Sequence, residues 1–304
     1  MLLMDDAYVQ GTIHEFEKRQ TDAYAKAQDR FRQKPVLELL SNPSSLCRAL
    51  LVLPMPWICG YSVLRLVKDR QSEDPTLSPF NFFLAFIVAY FIADLVTGLV
   101  HMRLDTIKIH IQKDKGLWRD LVEQAAWGFQ RHHAVQHNWL HDDILDSGIL
   151  TTGLLTVPFF WIYLGLCATG SIGSPCVAFG WTVFITAGMH VQLIHAAAHN
   201  TWKHREWLSV CLEVLRSAHL ILGMKEHHLH HTRFDCNFAM INGWSNVLLN
   251  PLYSWLEANG CIDPDLTAET QRAVYIQQKA QLTEPYLRIF PEYRAHQNAC
   301  NTAS

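Results

Sequence analysis

Apolar residues gather in four stretches of about 20 positions, Leu46 to Val67, Pro79 to Val100, Gly148 to Gly170 and Pro175 to Ala198, each long enough to cross a bilayer core as a helix. A fifth run, Trp207 to Met224, is weaker and suits an interfacial or half-buried helix. Polar sequence fills the intervals: an arm at the start, the segment 101 to 147, and most of the chain beyond His199. The pattern predicts an all-α integral membrane protein with about four transmembrane helices and a helical, histidine-rich cap. Its expected divisions are an N-terminal arm (1–45), a membrane domain (46–259) and a polar tail (260–304).

Four spans place both termini, the segment 101 to 147 and everything after His199 on one side of the membrane. That side carries Lys18, Arg19, Lys26, Arg30, Arg32 and Lys34 in the arm, and Arg103, Lys108, Lys113, Lys115, Arg119 and Arg131 in the middle segment. The opposite connections hold only Lys68 and Arg70, or no basic residue at all. The positive-inside rule makes the shared side cytosolic. The arm lacks the basic start and small-residue cleavage site of a signal peptide, so it too is expected to stay in the cytosol.

Composition narrows the class. Charged residues make up 17% of the chain, below the roughly 25% of soluble domains, as expected when lipid is the solvent. The net charge of −3 comes with no basic block, which argues against nucleic acid as a partner. The eight cysteines form no CxxC pair and read as ordinary thiols.

Histidine is the anomaly, with 17 in the chain. His101, the pair His132 and His133, the pair His195 and His199, and the trio His227, His230 and His231 all fall at or just beyond the ends of spans on the cytosolic side. His195 and His199 are four apart, and His227 is three and four from His230 and His231, so on helices each of these two groups turns its rings to one face. An HxxHH string arises by chance only on the order of 0.05 times in a chain this rich in histidine. Eight imidazoles without cysteine partners are too many for one tetrahedral zinc and divide into two sets of about four, hence two metals. Imidazole suits iron, zinc, copper and nickel alike. His14, His110, His190, His204, His219 and His296 stand alone and read as structural; His137, His141 and His228 sit beside the groups without clean spacing. Asp94, inside the second span, shares a helical stripe with Gly98, His101 and Asp105. A carboxylate there is suited to accept the free ring N–H of a ligand histidine, or to pair with a base elsewhere in the bundle.

Several blocks resemble the plasmanylethanolamine desaturase family, also called the Kua or lipid desaturase domain. They are Ala93-Asp94-Leu95-Val96-Thr97-Gly98-Leu99-Val100-His101 with Asp105-Thr106, Phe129-Gln130-Arg131-His132-His133, Gln192-Leu193-Ile194-His195-Ala196-Ala197-Ala198-His199, Leu222-Gly223-Met224-Lys225-Glu226-His227-His228-Leu229-His230-His231, and Ile241-Asn242-Gly243-Trp244-Ser245-Asn246. They lie in family order across about residues 85 to 257. The resemblance implies a di-iron centre held by His101, His132, His133, His195, His199, His227, His230 and His231, with Asp94, Asp105, His141 and Asn246 beside it. It implies O2 as co-substrate, an external electron donor of the cytochrome b5 type, a membrane phospholipid substrate, and the endoplasmic reticulum as location. Animal and bacterial members form the vinyl ether of plasmalogens, whereas a plastid branch desaturates an acyl chain of phosphatidylglycerol. His141-Asp142 sides with the first group. Departures from the family pattern at Met102, Ala134 to Gln136, Ala196 to Ala198 and Glu226 lie beside the presumed ligands, where the substrate's lining would be. The chain carries no flavin or haem-attachment motif, so electrons must come from outside. The expected activity is oxygen-dependent desaturation of plasmanylethanolamine; the alternatives are an acyl-lipid desaturase, a hydroxylase with the same metals, or a histidine-rich metal transporter. Against transport, the third span is almost purely apolar and the histidines keep to one face.

Overall fold

The computed structural model describes residues 43–69, 77–108, 151–199 and 206–272, with Val122, Ala125, Ala126, Phe129, Gln130, His133 and Ile149 between them. Its elements are α1 (Pro43–Val52), α2 (Pro54–Lys68), α3 (Pro79–Asp105), α4 (Thr151–Ala168), α5 (Pro175–Ala198), α6 (Glu206–Ser217), α7 (Met224–Arg233), α8 (Asn246–Ala258) and a 3-10 turn at Pro264–Leu266. No strand occurs among the described residues.

Proline sets the starts. Ser78 and Ser174 each precede a proline at the first helical position, where the missing N–H costs nothing and the fixed φ is already helical. Ser78 also accepts the Asn81 N–H at 3.2 Å. Between α1 and α2, Leu53 still donates to Ala49, but Pro54 cannot donate, so the first span is interrupted there.

Three stretches are long and apolar enough to cross a membrane: Leu46–Lys68, α3 and α5. The fourth expected span corresponds to α4, an apolar helix shorter than these. Its 18 residues rise only about 27 Å. The weak run at Trp207 to Met224 is divided between α6 and the first residue of α7, with a turn at His219, whose φ is 53°.

α5 lies at the centre, packed against α2, α3 and α4. Val52, Met55, Cys59, Tyr163, Ile185 and Met189 fill the space among them. Trp57, Phe80, Phe83, Leu155 and Trp161 are exposed on the outside, an apolar surface of the kind that marks a lipid contact. At 27 residues, α3 spans about 40 Å, more than the ~30 Å hydrocarbon core. Its surplus carries His101 and Asp105 at the C-terminal end.

The remaining elements close over that end. Arg216 of α6 donates to the Ala197 carbonyl in the last turn of α5, satisfying one of the acceptors a helix leaves open. Gln130 donates to Leu104 and Ile107 at the end of α3. Residues 261–272, which the sequence pattern assigns to the polar tail, fold back. Ile262, Leu266 and Ala268 are buried with Met102, Phe238 and Tyr253, and Asp263 and Asp265 both bind Lys108.

The strap Phe234–Ser245, between α7 and α8, lies directly against α3. A Cβ at Gly98 would collide with the Leu249 side chain of α8 and come within 3.1 Å of the Ala239 Cα, so glycine is what lets the strap lie this close. Gly98→Val is expected to push the strap off α3 at a cost of about 1–3 kcal/mol for the overpacking, seen as a lower melting temperature. Gly98→Ala should show a smaller loss.

Candidate dimetal centre

Two groups of side chains converge where the C-terminal ends of α3 and α5 meet α7. In the first, His195 and His199 come from α5, and His227 and His231 from α7; one ligand atom from each lies within 4.8 Å of all the others. The i,i+4 pairs present both rings to one point, as helical spacing dictates. The Nε2 of His227 is 2.9 Å from that of His195, 2.8 Å from that of His199 and 2.9 Å from that of His231.

The second group is His101, Asp105, His133 and His230, again within 4.8 Å. The Oδ2 of Asp105 is 3.3 Å from His101 Nε2, 3.4 Å from His230 Nε2 and 3.7 Å from His133 Nε2. The strap fixes two tautomers. His101 Nδ1 meets the Phe238 carbonyl at 2.9 Å and His230 Nδ1 meets the Cys236 carbonyl at 2.8 Å. A carbonyl only accepts, so each Nδ1 bears the proton and each Nε2 keeps a lone pair. Burial pushes the His133 imidazole down to about 3, so it is neutral at physiological pH and also has a lone pair to offer. Phe234 ends α7 with a φ of 65° and sets its ring 4.9 Å from that of His133.

The groups share a wall. The rings of His133 and His231 are 4.9 Å apart, and those of His101 and His195 6.1 Å. Seven of the eight donor residues are buried almost completely, His199 less so.

A pair of cations fits this chemistry. Both oxygens of Asp105 are buried without a hydrogen-bond donor among the described residues, and so is His101 Nε2. A carboxylate facing the lone pairs of His101 and His230 is unfavourable out of water; a cation at the centre would serve these and the Nε2 of His133, 3.1 Å from that of His230. The nitrogen and carboxylate donors suit iron among other transition metals.

Residues 90–272, more than half of the chain, match the family model of the lipid desaturase domain. The chain belongs to that family. No curated protein and no solved structure matches it. The desaturase domain takes in both donor groups and the strap, and it continues to Arg272, which donates to the Arg233 carbonyl at the end of α7.

Within this desaturase domain, seven of the eight expected histidines come together. His132 and His141 lie outside the described residues, as does His137. Asp105, expected beside the cofactor, stands among the candidate ligands themselves; its i,i+4 distance from His101 is the same signal that singles out His195 and His199. Asp94 corrects the expectation that it holds a histidine ring. Its Oδ1 accepts from Ile241, Asn242 and Gly243, and its Oδ2 from the main chain and hydroxyl of Ser245. Five donors occupy the carboxylate, and backbone carbonyls do the work expected of it at the rings. Asn246 similarly accepts from the Ala239 N–H. His228 is exposed, and His190 bonds to Thr186 one turn back in its own helix.

Proposed function

We propose that this lipid desaturase chain holds two iron ions and, with O2, converts the saturated alkyl ether chain of plasmanylethanolamine to the vinyl ether of plasmalogens. The observation that carries the reading is the pair of adjoining donor groups at the mouth of the membrane helices, inside the desaturase domain. The ether substrate draws on the ordered motif blocks and on His141-Asp142. His195, His199, His227 and His231 would hold one iron, and His101, Asp105, His133 and His230 the other; His132 and His141 complete the set named from sequence. Bound iron would supply the oxidising power, with two electrons from a cytochrome b5 type donor and two protons from water, in a reaction where the chain loses two hydrogens and O2 leaves as two waters. The protein keeps the His133 imidazole neutral, fixes two ring orientations through Cys236 and Phe238, and excludes water around Asp105. We place α4 as the fourth span and both termini in the cytosol on the distribution of basic residues, and the chain in the endoplasmic reticulum on the family resemblance.

Cells devoid of plasmalogens, expressing this chain and fed labelled alkyl ether and diacyl phospholipids, should yield the vinyl ether by mass spectrometry. Loss of hydrogen only from an acyl chain would move the substrate to the acyl-lipid branch, and loss from neither would sink the desaturase reading. Purified protein should carry close to two iron ions per chain. Chelation should remove activity, and ferrous iron but not zinc should restore it; full activity with zinc alone would refute the iron assignment.

A further inference from the structure

A cavity of about 710 Å³ opens between α3 and α5, within the size range of ligand pockets. Leu84, Val88, Ile92 and Val96 form one wall, and Val177, Trp181 and Phe184 the other. Val88 and Val177 are each about half exposed on the outer, apolar side, so the cavity is a groove open to lipid. Along α3 it runs from Asn81 to Val96, about 22 Å at the helical rise. That exceeds the ~15 Å half-thickness of the hydrocarbon core, the depth one leaflet's chains fill.

The groove points at the metal centre. α3 and α5 run parallel, because both C-terminal ends reach it. Val177, Trp181, Phe184, Gly188, Gln192, His195 and His199 succeed one another at steps of three and four, one face of α5. Phe184 and Phe129 both pack against the buried cluster of Ala93, Ala187 and Val191, and the Phe129 ring is 5.1 Å from that of His101. On α3 the groove ends at Val96, five residues or roughly 7.5 Å short of His101. The polar mark on this face is Gln192, more than nine-tenths buried, whose Oε1 has no hydrogen-bond partner among the described residues. An apolar chain rising from below would give way to its polar head at that level.

We propose that this groove seats the hydrocarbon tail of the phospholipid substrate, its head end at the metals and its methyl end toward Asn81 and Ser174. The assignment rests on the desaturase reading for its occupant. Val88 stands 13 residues below His101, about 20 Å along α3, and Val177 stands 18 below His195, about 27 Å along α5. Bulk added at either site meets lipid rather than core.

The test has two arms on the full chain in membranes. In the first, a saturated phospholipid with a photoreactive group near the tail's end should label Leu84 to Ile92 and Val177 to Phe184. Unlabelled substrate lipid should compete, and Val88→Trp should weaken the labelling. In the second, Val88→Trp should lower turnover of long chains relative to short ones by at least tenfold, the discrimination a single misplaced methylene gives, with iron content unchanged. Val177→Trp should do so only for the longest chains. Labelling spread evenly over outward residues such as Phe83 and Trp57, without competition, means bulk lipid only and overturns the proposal. So does an unaltered chain-length profile in both variants. Competed groove labelling with no desaturation by the unaltered chain would instead refute the enzyme reading and leave the groove standing.

Discussion

Asp105→Asn is expected to lower the iron content from two ions per chain to about one and to abolish desaturation. The carboxylate sits with three imidazole nitrogens 3.3 to 3.7 Å from one oxygen, and both oxygens lack a hydrogen-bond donor among the described residues. Asparagine keeps the shape but loses the charge, and turns an N–H2 toward lone pairs that need a cation. A residue acting only through another ligand costs about 10–100-fold when changed; a direct ligand should cost more and should take a metal with it. Elemental analysis beside turnover decides between these. Two irons retained with activity reduced less than a hundredfold would return Asp105 to a supporting role.

Asp94→Ala is expected to produce the largest loss of stability of any single change in the membrane helices. It strips the acceptor from four backbone N–H groups and the Ser245 hydroxyl. Each buried donor left unpaired costs about 1–3 kcal/mol, so a loss of at least about 3 kcal/mol is expected, a sizeable share of the ~5–15 kcal/mol that holds a domain together. The strap that would loosen also carries the carbonyls of Cys236 and Phe238. Iron should therefore leave the group around His101 and His230 first. Asp94→Asn should be milder, since one oxygen can still serve the donors at 241 to 243. The measurements are the melting temperature in detergent and the iron content; an unchanged melting point in Asp94→Ala would show that the strap does not depend on this clasp.

Much of the site could be read from spacing. His195 with His199, and His227 with His230 and His231, are local patterns on helices, and a helix brings such residues together wherever it sits. Asp105 carries the same i,i+4 signal relative to His101, but an acidic residue at a helix end is common and binds metal only in company. That company, His133 and His230, is assembled by tertiary packing. Asp94 shows the sharper limit. Its location in an apolar span announces a role, yet four of its five donors are main-chain groups 147 to 151 positions away, and a backbone N–H looks the same in every residue. The tautomers of His101 and His230 are hidden for the same reason, since carbonyls set them. The interruption at Pro54 is legible, because proline acts on its own neighbours. The inward fold of residues 261–272 is not, because Ile262 and Leu266 are isolated apolar positions in polar sequence and find cover only against Met102 and Tyr253.

The surplus length of α3 makes bilayer thickness a variable of the chemistry. A helix of about 40 Å in a membrane whose hydrocarbon is ~27 Å thick, as in the endoplasmic reticulum, leaves its last turns in the headgroup layer; a sterol-rich bilayer of ~32–33 Å draws them several ångströms inward. His101 and Asp105 ride on those turns, so hydrophobic mismatch sets whether the donors stand level with the polar heads of the surrounding lipids or are drawn below them.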